Sequence, residues 1–123
     1  MFFLYSAIVP AFCISFEYFP NTKTSPTARI LAAMEYSSNQ SQIIVFGGKD
    51  SEGYSLELSI FHLPEEEWEI PKTGEVYPNG RHSMASMISG NGKFFYIIGG
   101  FMENGPTNEI WKLSLDDFSV IQT

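Results

Sequence analysis

The chain has 123 residues, of which 14 are Asp or Glu and 7 are Lys or Arg, so its formal net charge is −7. This length accommodates one small domain, and a hydrophobic content of 44% excludes global disorder. The acidic balance excludes a general electrostatic attraction to nucleic acid or to an anionic membrane. Abundant aromatic residues, interrupted by ten glycines and seven prolines, favour an all-β chain.

Residues 1–25 form an apolar segment followed by a loop. Residues 1–16 carry no charge, but they are too few to span a bilayer and Pro10 interrupts them. Two interpretations stay open: the outer strand of a preceding repeat unit, or a secretory signal. Because no Lys or Arg stands at the start, the segment lacks the positively charged first region that is typical of a secretory signal. We therefore expect a cytoplasmic protein, with secretion as the alternative; only then does Asn39-Gln40-Ser41 become a glycosylation site.

Two further stretches, residues 26–70 and 71–123, each predict four short strands. In the first stretch the strands are 30–36, 42–46, 56–63 and 68–70. In the second they are 83–88, 93–98, 108–115 and 118–121. The dipeptide Asn91-Gly92 predicts a tight type I′ hairpin. The third strand of the second stretch is predicted to alternate, with Trp111, Leu113 and Leu115 on one face and Ile110, Lys112 and Ser114 on the other.

The two stretches are an internal duplication with an offset of 52 residues. Over positions 26–63, ten residues are identical to the residue 52 positions later, without a gap. These ten are Pro26, Arg29, Ala33, Ser37, Asn39, Gly47, Gly48, Gly53, Glu57 and Leu63. The same offset relates Trp68-Glu69 to Phe16-Glu17.

A Pro-x-x-Arg start, an apolar strand that ends in Gly-Gly, and a later aromatic residue resemble the kelch repeat. The residues of this structural motif are Gly47, Gly48, Trp68, Gly99, Gly100, Trp111 and Phe118. The first unit has Ser59 where the second has Trp111, and Phe118 stands two positions before the residue that corresponds to Trp68. The resemblance covers about residues 16 to 123. It implies that each unit is a four-stranded antiparallel blade of a kelch-type β-propeller.

Two blades are fewer than the four to eight, roughly, that close a propeller. We expect either part of a longer propeller, which the apolar character of residues 1–18 favours, or a chain that completes one by self-association. In both cases the two-blade unit alone exposes apolar sheet surface, so it is expected to be oligomeric or prone to aggregate.

The residue types that carry metal or nucleophilic chemistry are scarce. Cys13 is the only cysteine, and the two histidines occupy non-equivalent positions in the units, so neither a disulfide nor a zinc site is expected. Ser83 follows His82 in a predicted strand, where neighbouring side chains point to opposite faces. We therefore predict no catalytic residue, no metal and no cofactor, and a chain that is not an enzyme.

Charge is predicted to divide between the two ends of the blades. Loops that join strands two to three and four to one share one end, which we call the loop face; the hairpins share the other end, the hairpin face. Five of the seven basic residues fall on or beside the loop face: Lys23, Arg29, Lys49, Lys72 and Arg81. Because Asp50, Glu52, Glu75 and Glu103 also fall there, the charge of the loop face is predicted to be mixed. The hairpin face carries Glu65, Glu66, Glu67, Asp116 and Asp117.

The resemblance implies a non-catalytic protein–protein interaction module, of scaffold or substrate-adaptor type, whose inter-blade loops bind a protein. The candidate binding residues are Arg29, Lys49, Asp50, Arg81 and His82. The basic ones predict a partner with an acidic or phosphorylated segment. A second interpretation of the arginines stays open, in which they only tie their loops to backbone carbonyls. The alternative function is a fragment of a secreted kelch-like propeller enzyme, of the oxidase or mutarotase type.

Overall fold

The computed structural model describes residues 15–123, which form two consecutive four-stranded antiparallel sheets. Blade 1 has strand order β1-β2-β3-β4, with β1 Ala33–Ser37, β2 Gln42–Phe46, β3 Leu58–His62 and β4 Glu67–Glu69. Blade 2 has strand order β5-β6-β9-β10, with β5 Ala85–Ile88, β6 Phe94–Ile98, β9 Ile110–Ser114 and β10 Val120–Gln122. A small hairpin of β7 (Phe101–Met102) and β8 (Gly105–Pro106) lies between β6 and β9. The described part of the chain is thus all-β, as expected.

Each of the eight main strands lies within or across a predicted strand. The second strand of blade 1 spans the predicted residues 42–46, whereas most of the others are shorter than predicted. The hairpin of β7 and β8 was not predicted. Residues 1–14 of the predicted N-terminal segment lie outside the described residues, and residues 15–22 form no strand.

The connection between β5 and β6 differs from the predicted type I′ turn. The Gly92 amide donates to the Ser89 carbonyl at 2.8 Å, and Gly92 has a φ of 70°. Asn91 does not have a positive φ, although a type I′ turn requires positive φ at both central positions. The Asn91 side chain instead accepts from the Lys93 amide at 3.1 Å, so the predicted turn type is wrong.

The hydrophobic core lies between the two blades. Strand β9 buries Trp111 and Leu113 while Lys112 stays half-buried on the opposite face, so the predicted alternation is confirmed. Each sheet contributes one apolar face to this core. The buried residues are Ala33, Ile44, Phe46, Leu58 and Ile60 of blade 1, and Phe95, Ile97, Trp111, Leu113 and Leu115 in and beside blade 2.

The duplication extends to backbone conformation. Leu31 and Ser83, which are 52 positions apart, both have positive φ, at 58° and 53°. Glu66 and Phe118 form a second such pair, at 57° and 55°. Phe118 therefore lies in the turn before the fourth strand and is not the counterpart of Trp68.

Val120 is the counterpart of Trp68. It pairs with Leu113 across β9 and β10, as Trp68 pairs with Phe61 across β3 and β4. The assignment of Phe118 to the fourth-strand aromatic position is corrected, because strand pairing and not aromatic character defines that position. Phe118 still packs against the core from its turn.

The glycine pair at the end of β2 lies where the next blade approaches. The Gly48 amide donates to the Arg81 carbonyl at 2.7 Å. A Cβ added to Gly47, whose φ is 67°, would lie 2.6 Å from that same oxygen. Both the conformation and the close approach therefore require glycine at position 47.

Candidate functional site

Arg29 occupies the centre of a hydrogen-bond network on the loop face of blade 1. Its guanidinium donates to the carboxylate of Glu57 at 2.7 Å and to the carbonyl of Gly47 at 3.1 Å. It also donates to the carbonyl of Thr27 at 3.0 Å and to the hydroxyl of Ser55 at 2.9 Å. The side chain thereby ties the chain entering blade 1 to the loop between β2 and β3.

Arg81 repeats this arrangement in blade 2. It donates to Glu109 at 2.7 Å, to the carbonyl of Gly99 at 3.3 Å and to the carbonyl of Asn79 at 3.1 Å. Only 6% of the Arg29 side chain and none of the Arg81 side chain is exposed to solvent. The geometry therefore agrees with the interpretation in which the arginines tie their loops. Contact of either guanidinium with a partner stays a prediction, and it would require the ion pair to open.

The two glutamates of these ion pairs each accept a further hydrogen bond from equivalent positions. The Trp111 indole donates to Glu109 at 3.0 Å, and the Ser59 hydroxyl donates to Glu57 at 3.0 Å. The indole and then Arg81 hold the pKa of Glu109 below its ordinary value. Serine thus preserves in blade 1 a polar contact that tryptophan makes in blade 2.

Lys49 and Asp50 lie together in the loop between β2 and β3. The Lys49 ammonium is exposed and lies 5.7 Å from the centroid of the Tyr54 ring. Asp50 accepts from the Glu52 amide at 2.8 Å and from the Thr27 hydroxyl at 3.0 Å, and these bonds lower its pKa. Asp50 therefore stabilises its loop, while Lys49 presents a positive charge to solvent.

His82 is stacked between two aromatic rings. Its ring lies 5.2 Å from Tyr54 and 5.9 Å from Phe101, with an interplanar angle of 13° to each. Its Nδ1 is 2.8 Å from the Ser83 hydroxyl. The expectation that these neighbours point apart is wrong, because Ser83 has a φ of 53° and precedes the first residue of β5.

The row Tyr54–His82–Phe101, which we call the aromatic stack, crosses from blade 1 to blade 2 on the loop face. An open groove lies beside it, between the loop after β2 and the hairpin of β7 and β8. A side chain on Gly80 would clash with the carbonyl of Tyr54, which shows that the floor of the groove is closely packed. The groove is lined by Tyr54, Leu56, Asn79, Gly80, Met102, Glu103 and Asn104.

Sequence reasoning identified His82 but missed the other two rings of the stack and the groove. Phe101 directly follows the second glycine pair, which is the one local signal that placed it on the loop face. Tyr54 has no counterpart in the repeat, since Pro106 stands 52 positions later. Stacking between them depends on how the two blades pack and has no sequence signature.

Pairing of the arginines changes the charge that the loop face presents. Of the candidate basic residues, Lys49 is the one whose charged group is exposed. Glu52 and Glu103 are exposed on the same face. The hairpin face keeps its predicted acidic character, with five exposed carboxylates at Glu65, Glu66, Glu67, Asp116 and Asp117.

Residues 15–123 contain neither a cluster of metal ligands nor a membrane-spanning helix. Within that range no three His, Cys, Asp or Glu side chains lie close enough together to hold one metal ion. Over the same residues, no helix is long and apolar enough to cross a membrane. Cys13 lies outside the described residues.

Comparison with known proteins agrees with the geometry. No curated protein matches the chain. A family model described as the KLHDC2/KLHL20/DRC7 Kelch-repeats domain matches residues 15–123, the range that holds both blades and both glycine pairs. The chain therefore belongs to the kelch-repeat family.

Proposed function

We propose that the chain binds a protein segment on its loop face, with the aromatic stack and the adjacent groove as the binding site. Kelch-repeat domains generally mediate protein–protein interaction and are typically non-catalytic. The observation that carries this proposal is the stack of Tyr54, His82 and Phe101 across the two blades.

The stack has the composition and the rigidity of an interface centre. Aromatic side chains supply large contact area with few rotatable bonds, and they are enriched among residues that dominate binding energy. Phe101 is 50% exposed and Leu56, on the groove wall, is 56% exposed. Because stacking holds His82 in place before binding, little conformational entropy is lost when a partner covers it.

The groove and its surroundings also support a proposal for the chemistry of the segment. We assign an apolar side chain of the segment to the groove, which is lined by Leu56 and Met102, and its backbone to the side-chain amides of Asn79 and Asn104 on the same lining. The predicted acidic or phosphorylated group is assigned to Lys49, since both arginines are already paired. We place this group beside the exposed Lys49 ammonium, because the exposed carboxylate of Glu103 would repel it.

Selection of peptides tests this proposal. A phage-displayed library of random dodecapeptides is selected on the purified chain, and the affinity of the recovered peptides is measured by fluorescence anisotropy. We expect them to share an apolar residue beside Asp or Glu, and to lose about tenfold or more in affinity for Tyr54→Ala and Phe101→Ala. Lys49→Ala should weaken only the acidic peptides.

The matched control is Glu66→Ala on the opposite end of the blades. It alters an exposed residue and should leave peptide affinity unchanged. Peptides that bind all four variants equally, or that respond only to Glu66→Ala, would place the binding site elsewhere and contradict the proposal. We propose that this binding serves a scaffold or substrate-adaptor function.

A further inference from the structure

We propose that the outer face of blade 2 docks onto the outer face of blade 1 of a second copy, so that chains associate head to tail into a ring of blades. Each outer face is the side of the sheet turned away from the core between the blades. On blade 2 this face consists of Ala85, Met87, Tyr96, Ile98, Ile110 and Lys112. On blade 1 it consists of Met34, Tyr36, Ile43, Val45, Ser59 and Phe61.

The packing of blade 1 on blade 2 provides the template for this contact. Shifting the core-facing residues of blade 1 by 52 positions yields the outer face of blade 2; Ala33, for example, becomes Ala85 and Phe46 becomes Ile98. Shifting the core-facing residues of blade 2 back yields the outer face of blade 1, where Ile97 becomes Val45. The chain therefore carries both halves of one interface, one half at each end.

The backbone hydrogen bonds between the two blades also have equivalents at the outer faces. Between the blades, Gly48 donates to the Arg81 carbonyl at 2.7 Å and the Arg81 amide donates to Ser55 at 3.2 Å. The equivalent bonds at the docked face run from Gly100 to the Arg29 carbonyl, and from the Arg29 amide to Thr107. None of these four backbone groups has a hydrogen-bond partner within residues 15–123, so all are available.

A polar contact at the internal interface is replaced by apolar residues at the outer faces. Ser86 donates to Glu35 at 2.8 Å between the neighbouring strands β5 and β1. The residues at the equivalent positions are Met34 and Met87, which are 65% and 49% exposed. Two methionines that meet at the docked face would bury apolar surface where the internal interface has a hydrogen bond.

Both outer faces keep exposed apolar side chains that a second copy can contact. On blade 1, Phe19 already lies edge-on to Phe61 of β3, with 5.6 Å between ring centroids, so the second copy docks on β1 and β2. Tyr36, on β1, is 57% exposed. On blade 2, Lys112 takes the place of the buried Ile60, and its ammonium lies 3.8 Å from the centroid of the Phe94 ring. Its charge thus has a partner within its own sheet, and its stem adds apolar surface.

Head-to-tail contacts of this kind close into rings when the rotation permits. Because residues 15–123 of each copy supply two blades, a propeller of about four to eight blades requires two to four copies. Closure removes the exposed apolar faces, which a small monomer rarely maintains.

Sedimentation velocity over a range of protein concentrations tests the docking. The wild-type chain should sediment as a single species of two to four copies. Met87→Glu should weaken association by about tenfold or more, because it places an unpaired carboxylate in the interface. Adding Met34→Ser should restore association, since the pair then reproduces the hydrogen bond of Glu35 and Ser86. Val76→Glu introduces the same charge at an exposed linker residue and should leave association unchanged.

Mixing separates head-to-tail docking from contact of like faces. A chain with Met87→Glu and a chain with Met34→Glu each retain one intact face, so the mixture should form a heterodimer and no larger species. Self-association of the Met34→Glu chain through its intact blade 2 face would show contact of like faces and overturn the proposal. So would a wild-type chain that stays monomeric at its highest soluble concentration, or a Met87→Glu defect that Met34→Ser does not correct. Circular dichroism confirms that each variant is folded.

Discussion

The guanidinium of Arg81 lies 2.7 Å from the carboxylate of Glu109, and no part of the arginine side chain is exposed to solvent. The same side chain donates to two backbone carbonyls, so the buried charge is compensated by an ion pair and by hydrogen bonds. Arg29 and Glu57 form the equivalent pair in blade 1, at the same 2.7 Å. Each pair thus ties the residues that precede its blade to the loop that ends in Glu57 or Glu109.

Removal of a paired arginine is expected to destabilise the protein. Arg81→Met should lower the free energy of unfolding by about 3 to 5 kcal/mol, because Glu109 then lacks its charged partner in a partly buried position. Urea unfolding followed by tryptophan fluorescence, at one fixed protein concentration, measures the change. Lys72→Met, at an exposed position in the linker between the blades, is the control. Equal stability of the two variants would show that the ion pair contributes nothing measurable.

The lowered pKa of Glu109 makes stability depend on pH. A carboxyl whose pKa is lower in the folded than in the unfolded state contributes stability above the unfolded value, and this contribution is lost as the pH falls through the folded value. We expect the free energy of unfolding to decrease as the pH falls below the ordinary value of 4.5. Glu109→Gln should reduce this dependence, whereas Glu66→Gln, in an exposed turn, should retain it. Denaturant titrations at several pH values provide the comparison.

The indole of Trp111 is expected to contribute to that pKa through its hydrogen bond. Trp111→Phe keeps an aromatic ring but removes the N–H that lies 3.0 Å from Glu109. The carboxyl pKa should rise toward its ordinary value, and stability should fall by about 1 kcal/mol. NMR titration of the side-chain carboxyl carbon detects the first effect. Trp68→Phe is the matched control, and a shift of the Glu109 pKa in that variant would argue against a local cause.

Substitution of Gly100 and of Gly105 distinguishes the effect of backbone strain on stability from the effect of steric clash. Both have positive φ, at 104° and 122°, but only at Gly100 would a Cβ meet a neighbouring atom, the His82 carbonyl at 2.9 Å. Gly100→Val should therefore lower the free energy of unfolding by about 1 to 3 kcal/mol more than Gly105→Val. Thermal unfolding of the two variants measures the difference. If both lose the same stability, close backbone approach is not the reason for the glycine pair.

The internal duplication was sufficient to predict the two blades. Strand β2 was predicted residue for residue because a continuous apolar run ends at a glycine pair, and both signals are local. The hairpin of β7 and β8 was missed because each strand has only two residues and Gly105-Pro106 is typical of a turn. Tertiary contact holds it, since Phe101 and His82 exchange backbone hydrogen bonds at 2.9 and 3.0 Å.

Alignment of the fourth strands shows that a sequence motif can assign the wrong residue to a structural position. The sequence offered Phe118 as the aromatic counterpart of Trp68, but the register of β9 and β10 places Val120 there. Burial and hydrogen bonding determine register, and a single aromatic residue two positions away does not alter it.

The amino-acid sequence by itself determined the repeat, the all-β architecture and the end of the blades on which the basic residues lie, because these follow from local periodicity and from an offset of 52 residues. Only the tertiary structure decided which of those charges are free. The carboxylate that pairs with each arginine lies 28 positions away, on a loop whose path depends on the packing of the sheet. The aromatic stack depends likewise on the contact between blades. Long-range ion pairs and stacking are therefore the reason that we propose Lys49, His82 and the aromatic neighbours of His82, rather than the two arginines, as the binding residues.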